Sequence, residues 1–109
     1  MNKYTSEENT MAVTKLTSDE IEANLKSLPH WEVKDEKLHR ELKFKDFVQA
    51  WGFMTQAAML AEQMDHHPEW QNVWNKVIID LTTHSAKGIS RLDFELAEKM
   101  NTIADSMGV

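Results

Sequence analysis

The chain has 109 residues, enough for one domain with a core and too few for two. Its hydrophobic fraction of 41% fits a globular protein, and no apolar run approaches the length needed to span a membrane. A formal net charge of −6 argues against direct nucleic-acid binding, and the absence of cysteine excludes disulfides, thiolate nucleophiles and cysteine-ligated zinc.

The N-terminus lacks the basic-then-apolar pattern of a secretion signal, so a cytoplasmic location is expected. Residues 1–16 are polar and without a stable period; they are expected to form a flexible tail before a single domain over residues 17–109, and Met11 offers an alternative start. Thr17 with Glu20 has the spacing of a capping box, and Ile21, Leu25 and Leu28 continue one apolar stripe until Pro29 ends the helix. From Trp31 to Phe44 the period changes to two, with a polar turn at Asp35-Glu36-Lys37. Leu38, Leu42 and Phe44 then share one face, and His39, Glu41 and Lys43 the other, so His39 is expected at the surface. Arg40 interrupts the apolar set and is expected to pack its stem while its head reaches water.

Asp46 can cap a long helix whose apolar stripe reads Phe47, Trp51, Met54, Ala58 and Ala61, widened by Ala50, Ala57 and Met64. Pro68 ends it, leaving His66 and His67 at its exit, and Glu62 lies one turn before His66, where it could orient that ring. Two further strands follow, Trp70–Trp74 and Val77–His84, joined at Asn75-Lys76, with His84 at the polar end of the second. Ser90 and Asp93 repeat the capping-box spacing before a last helix. Its apolar face runs through Leu92, Leu96, Ala97, Met100, Ile103 and Met107, with Asp93 inside that arc and Phe94 outside it, a possible partner surface. The predicted fold is α+β: a four-stranded antiparallel sheet with three helices on one face, in the order αββαββα.

Three histidines fall between Asp65 and His84. Histidine titrates near neutrality, so such a group suggests proton chemistry or metal binding. Adjacent histidines in an extended segment point to opposite sides, which suits a shared metal poorly, although a three-histidine site is geometrically open. No serine lies in a nucleophile elbow. Two imidazoles flanking a small ligand suit general acid–base catalysis, each proton transfer contributing about 10²–10⁴-fold. The plainer alternative is that His66 and His67 only terminate a helix while His84 satisfies a strand end.

His66-His67-Pro68-Glu69-Trp70, Asn72-Val73, Asn75-Lys76-Val77 and Leu81 followed by Thr83-His84 resemble the pterin-4a-carbinolamine dehydratases, also known as the dimerisation cofactor of hepatocyte nuclear factor 1. The likeness extends upstream through Phe44-Lys45-Asp46-Phe47 and Gly52-Phe53-Met54-Thr55, and downstream through Gly88 and Ser90 to Asp93, Leu96 and Ala97, covering about residues 17–107. The resemblance implies a hydro-lyase that dehydrates 4a-hydroxytetrahydrobiopterin to the quinonoid dihydropterin in tetrahydrobiopterin recycling. It implies His66, His67 and His84 as the catalytic trio, with Asp65, Thr82, Thr83 and Ser85 lining the substrate pocket and Asp93 as the family's carboxylate on the last helix. No metal or organic cofactor is required for that reaction, and the expected partners are the pterin substrate and further copies in a homodimer or homotetramer, without nucleic acid or membrane. The sequence departs from its relatives at Ser85, Trp74 and Asp80. The competing expectation is a non-catalytic protein-interaction module of the dimerisation-cofactor or coactivator kind.

Overall fold

A computed structural model of the chain describes residues 13–109. The first twelve residues of the expected tail lie outside that range; further along it, the Leu16 amide donates to the Ile89 carbonyl at 2.8 Å. Helix α1 spans Ser18–Leu25 and opens on the capping box that Thr17 and Glu20 predict, each side chain bonding the other's amide. Strands β1 (Glu32–Lys34) and β2 (Lys37–Lys43) form a hairpin whose tight turn places Asp35 and Glu36 both at positive φ. Helix α2 (Phe47–Met64) follows, capped by Asp46, then β3 (Glu69–Val73), β4 (Lys76–Leu81) and helix α3 (Arg91–Ser106). All strand pairings are antiparallel and the sheet order is β1-β2-β4-β3, so the αββαββα expectation holds.

The register explains what each face carries. Leu38 opposite Leu81, Arg40 opposite Ile79 and Leu42 opposite Val77 turn toward the helices and the core. His39 opposite Asp80 lies on the other face, and Glu69 extends that row onto β3. Alternation assigns these faces correctly but misjudges exposure at two residues. His39 is buried, held between Asp80 (Nδ1 to Oδ1, 2.8 Å) and Glu41 (Nε2 to Oε2, 3.0 Å). Arg40 is buried, with its guanidinium turned inward, because Asn101 of α3 supplies an acceptor inside the core.

Both long helices are turned relative to their apolar stripes. In α2 the buried positions are Ala50, Phe53, Ala57 and Ala61, while Phe47 and Trp51 are about half exposed at 48% and 55%. Three alanines let the helix approach closely, and the large side chains move to the rim. In α3 Phe94 is buried, contrary to the expectation of an outward residue. The cause is polar: the Asn101 amide accepts from Trp31 Nε1 at 2.7 Å and from Arg40, and donates to the Pro29 carbonyl at 3.0 Å. Burying Asn101 widens the inward arc as far as Phe94, and a wheel drawn from apolar residues alone stops short of it. Among the described residues, no buried side-chain nitrogen or oxygen lacks a partner.

Candidate active site

The end of α2 is built by one residue with unusual backbone. Asp65 adopts the left-handed conformation (φ 50°, ψ 43°), and the His66 amide reaches back to the Ala61 carbonyl at 3.0 Å. That conformation favours glycine, although aspartate is among the residues that tolerate it. The chain therefore reverses beneath the helix end, burying His66 and leaving His67 exposed just before Pro68 leads into β3. The adjacent imidazoles point apart, as extended backbone at a proline requires. Asp65 itself is exposed.

His66 donates from Nε2 to Asp93 Oδ1 at 2.6 Å. Asp93 is fully buried, at 0% exposure, and its second oxygen accepts from the Ser90 amide (2.9 Å) and the Thr83 hydroxyl (2.8 Å). Proton directions follow from the chemistry: a carboxylate only accepts, so Thr83 spends its one proton on Asp93 and must accept from the Ser90 hydroxyl at 2.6 Å. Ser90 Oγ in turn accepts from the Leu92 amide. Asp93 thus serves both as the capping-box residue of α3 and as the holder of His66, its charge favoured at the positive end of the helix dipole.

The other two histidines stand in the open. His67 Nε2 lies 2.7 Å from Glu62 Oε1, with 59% of its side chain exposed. Glu62 therefore pairs with His67 rather than with His66, because the turn at Asp65 carries His66 under the helix. His84 is not on β4, which ends at Leu81. It opens a single 3₁₀ turn (His84–Ala86) closed by a backbone bridge between Thr83 and Gly88, and its side chain is 84% exposed. Its Nε2 lies 3.2 Å from Glu69 Oε2.

Each histidine accordingly presents Nε2 to its own carboxylate, and none of the three Nδ1 atoms is hydrogen-bonded among the described residues. A carboxylate partner fixes the hydrogen on Nε2 and leaves Nδ1 as the nitrogen available to a ligand. Two indirect links run between them: Asp93 joins His66 to Thr83, the neighbour of His84, and Glu69, two residues after His67, lies against His84. Of the remaining sequence candidates, Thr82 is half-buried, Ser85 is exposed, and the Thr83 hydroxyl is turned inward to Asp93. Glu69, Lys37 and Ser90 were not singled out as site residues. Glu69 sat visibly inside the histidine motif and Ser90 in the capping box, but nothing in the local sequence ties Lys37 to them. Among the described residues, no three His, Asp or Glu side chains are grouped so as to hold a metal ion.

Fold and site together define a small α+β protein with one buried and two exposed imidazoles, each facing a carboxylate. The chain belongs to the pterin 4 alpha carbinolamine dehydratase family, whose model matches residues 14–103. A relative from Solibacter usitatus that bears the name of this dehydratase is 55% identical over 91 residues, covering 84% of this chain and 96% of its own. Another from Prochlorococcus marinus, bearing the same name, is 46% identical over 93 residues, covering 85% of this chain and 97% of its own. The crystal structure of a transcriptional coactivator/pterin dehydratase from Brucella melitensis superposes with a TM-score of 0.82 at 48% identity, covering 84% of this chain and 99% of that one.

Proposed function

We propose that this protein dehydrates a 4a-hydroxytetrahydropterin to the quinonoid dihydropterin and water, as a carbon–oxygen lyase in tetrahydropterin recycling. The observation that carries the reading is the trio of histidines, each with Nε2 on a carboxylate and with no partner for Nδ1 among the described residues. Hydroxide is a poor leaving group, so an imidazolium protonates the 4a-oxygen as the C4a–O bond breaks. The N5 lone pair forms the new C4a–N5 double bond, and the N5 proton passes to a neutral imidazole. One proton is given and one taken, so the step balances without a metal or an organic cofactor.

In this reading His84 is the acid and His66 the base. The buried Asp93 supports the second role, since it holds the His66 hydrogen on Nε2 and keeps a lone pair on Nδ1. His67, braced by Glu62, positions the pterin, with Asp65, Thr82 and Ser85 around the ring and Thr83 behind them, its hydroxyl holding Asp93. The test is the dehydration rate of freshly generated 4a-hydroxytetrahydropterin. His66→Ala and His84→Ala should each lower the rate by about 10²-fold or more, and native rates in both would overturn the mechanism.

The same proposal includes a cytoplasmic location and assembly into a homodimer or homotetramer. Exposed Phe47, Val48, Trp51 and Met59 on α2 support assembly, and Phe47 stacks on Trp51 with ring centroids 5.8 Å apart. A non-catalytic interaction module is the second reading, supported by that same apolar face. No described helix is long and apolar enough to cross a membrane.

A further inference from the structure

We propose that Glu69, braced by Lys37, is the positioning residue for His84, a role that rests on the dehydratase reading of the site. His84 needs one. It stands on a short 3₁₀ turn with its side chain 84% exposed, and Glu69 is its side-chain partner there. An untethered imidazole on such a turn samples several rotamers, and fixing one adds an entropic cost at the moment of reaction unless the fold has already done so.

Glu69 is well placed to do it. It follows Pro68, whose ring fixes φ, and it pairs with Asp80 of β4 in the sheet register. Its two oxygens have separate tasks: Oε1 accepts from Lys37 Nζ of β2 at 2.5 Å, and Oε2 faces His84 Nε2. The Lys37 hydrogen bond holds the Glu69 carboxyl below the usual carboxylate range, so Glu69 remains an acceptor at neutral pH. The charged groups around the pair are Lys37 from β2, Asp80 from β4 and Asp35 from the β1–β2 turn, and Asp80 is itself engaged by His39. The arrangement repeats, in the open, what Asp93 does for His66 in the core. It contributes little to stability, because both side chains of the Lys37–Glu69 pair keep a third or more of their surface in water. A loss of activity on removing the carboxylate is therefore not a loss of fold.

Two measurements test this. In the dehydration assay, Glu69→Gln should lower kcat by about 3–10-fold with KM changed less than twofold, and Lys37→Met should lower it less, in the same direction. In a His84→Ala background Glu69→Gln should have no further effect, since it acts through that ring. Native kcat in Glu69→Gln, or an equal fall in both backgrounds, overturns the proposal. The second measurement needs no activity: long-range ¹H–¹⁵N spectra of the free protein at alkaline pH report the His84 tautomer. The native protein should show Nε2–H alone and Glu69→Gln a mixture, and an unchanged tautomer in Glu69→Gln equally overturns it. A native protein without dehydratase activity would instead sink the functional reading, leaving the spectra to decide the tether.

Discussion

Thr83 shows how much a single hydroxyl can organise. It receives a proton from Ser90 and passes its own to Asp93, which leaves Asp93 Oδ1 for His66. Thr83→Val keeps the shape but takes one of two donors from a buried oxygen and leaves the Ser90 hydroxyl without its acceptor. Removing one partner from a buried hydrogen bond costs about 1–3 kcal/mol. Thr83→Val should therefore lose that much in denaturant unfolding and slow dehydration by roughly tenfold as the His66 carboxylate loosens. Thr83→Ser, which keeps the hydroxyl, should restore most of both. The family resemblance implies Thr83 as a pocket residue, but its proton direction depends on Asp93 ten residues further along the chain.

At the scale of elements, β2 and β4 are joined on the sheet's outer face by His39. Burial opposes protonation of this imidazole, yet its hydrogen bonds to Asp80 and Glu41 outweigh that and hold its pKa above the ordinary 6.5. Its contribution to stability is thus fully present below pH 6.5 and is lost as pH rises through the raised folded value. Glu41, held below its ordinary 4.5 by the same hydrogen bond, contributes above pH 4.5 and loses that contribution as pH falls through its lowered folded value. The cluster therefore stabilises most between pH 4.5 and 6.5. Thermal unfolding of native protein and His39→Gln should show a Tm gap at pH 6 that narrows by roughly 2–5 °C at pH 8.5. A constant gap would mean that His39 is held neutral. Alternation in the sequence marks this face but not its exposure, because Asp80, which holds His39 together with Glu41, comes from a strand 41 positions away. The helices show the same limit from the other side: Asn101 and the α2 alanines set which face is buried, and neither stands out in a reading weighted toward large apolar residues.

Across the whole molecule, element order and sheet pairing followed from periodicity and turn residues, which are local signals. The three histidines were found by their motif. Asp93 is legible from its capping-box spacing and Glu62 from its place one turn before the histidine pair, although it serves His67 and not His66; Glu69 lies inside the histidine motif, but only the sheet register ties it to Lys37 and His84. Phe94 was the expected contact residue, but it is buried, and the exposed apolar residues of α2 replace it as the candidate. Trp51→Glu should shift the protein to a smaller species in light scattering coupled to size exclusion, without lowering Tm by more than about 2 °C, since substitutions at exposed positions have small effects. An unchanged mass would remove α2 from the assembly.

Asp93 gives the molecule a form of quality control. One carboxylate completes the first turn of α3 and sets the hydrogen on His66, so in the proposed mechanism that imidazole is ready only once the last helix has formed and docked. A chain still folding, or one with α3 peeled away, leaves His66 without its carboxylate. It would present a pterin with an incomplete set of proton carriers.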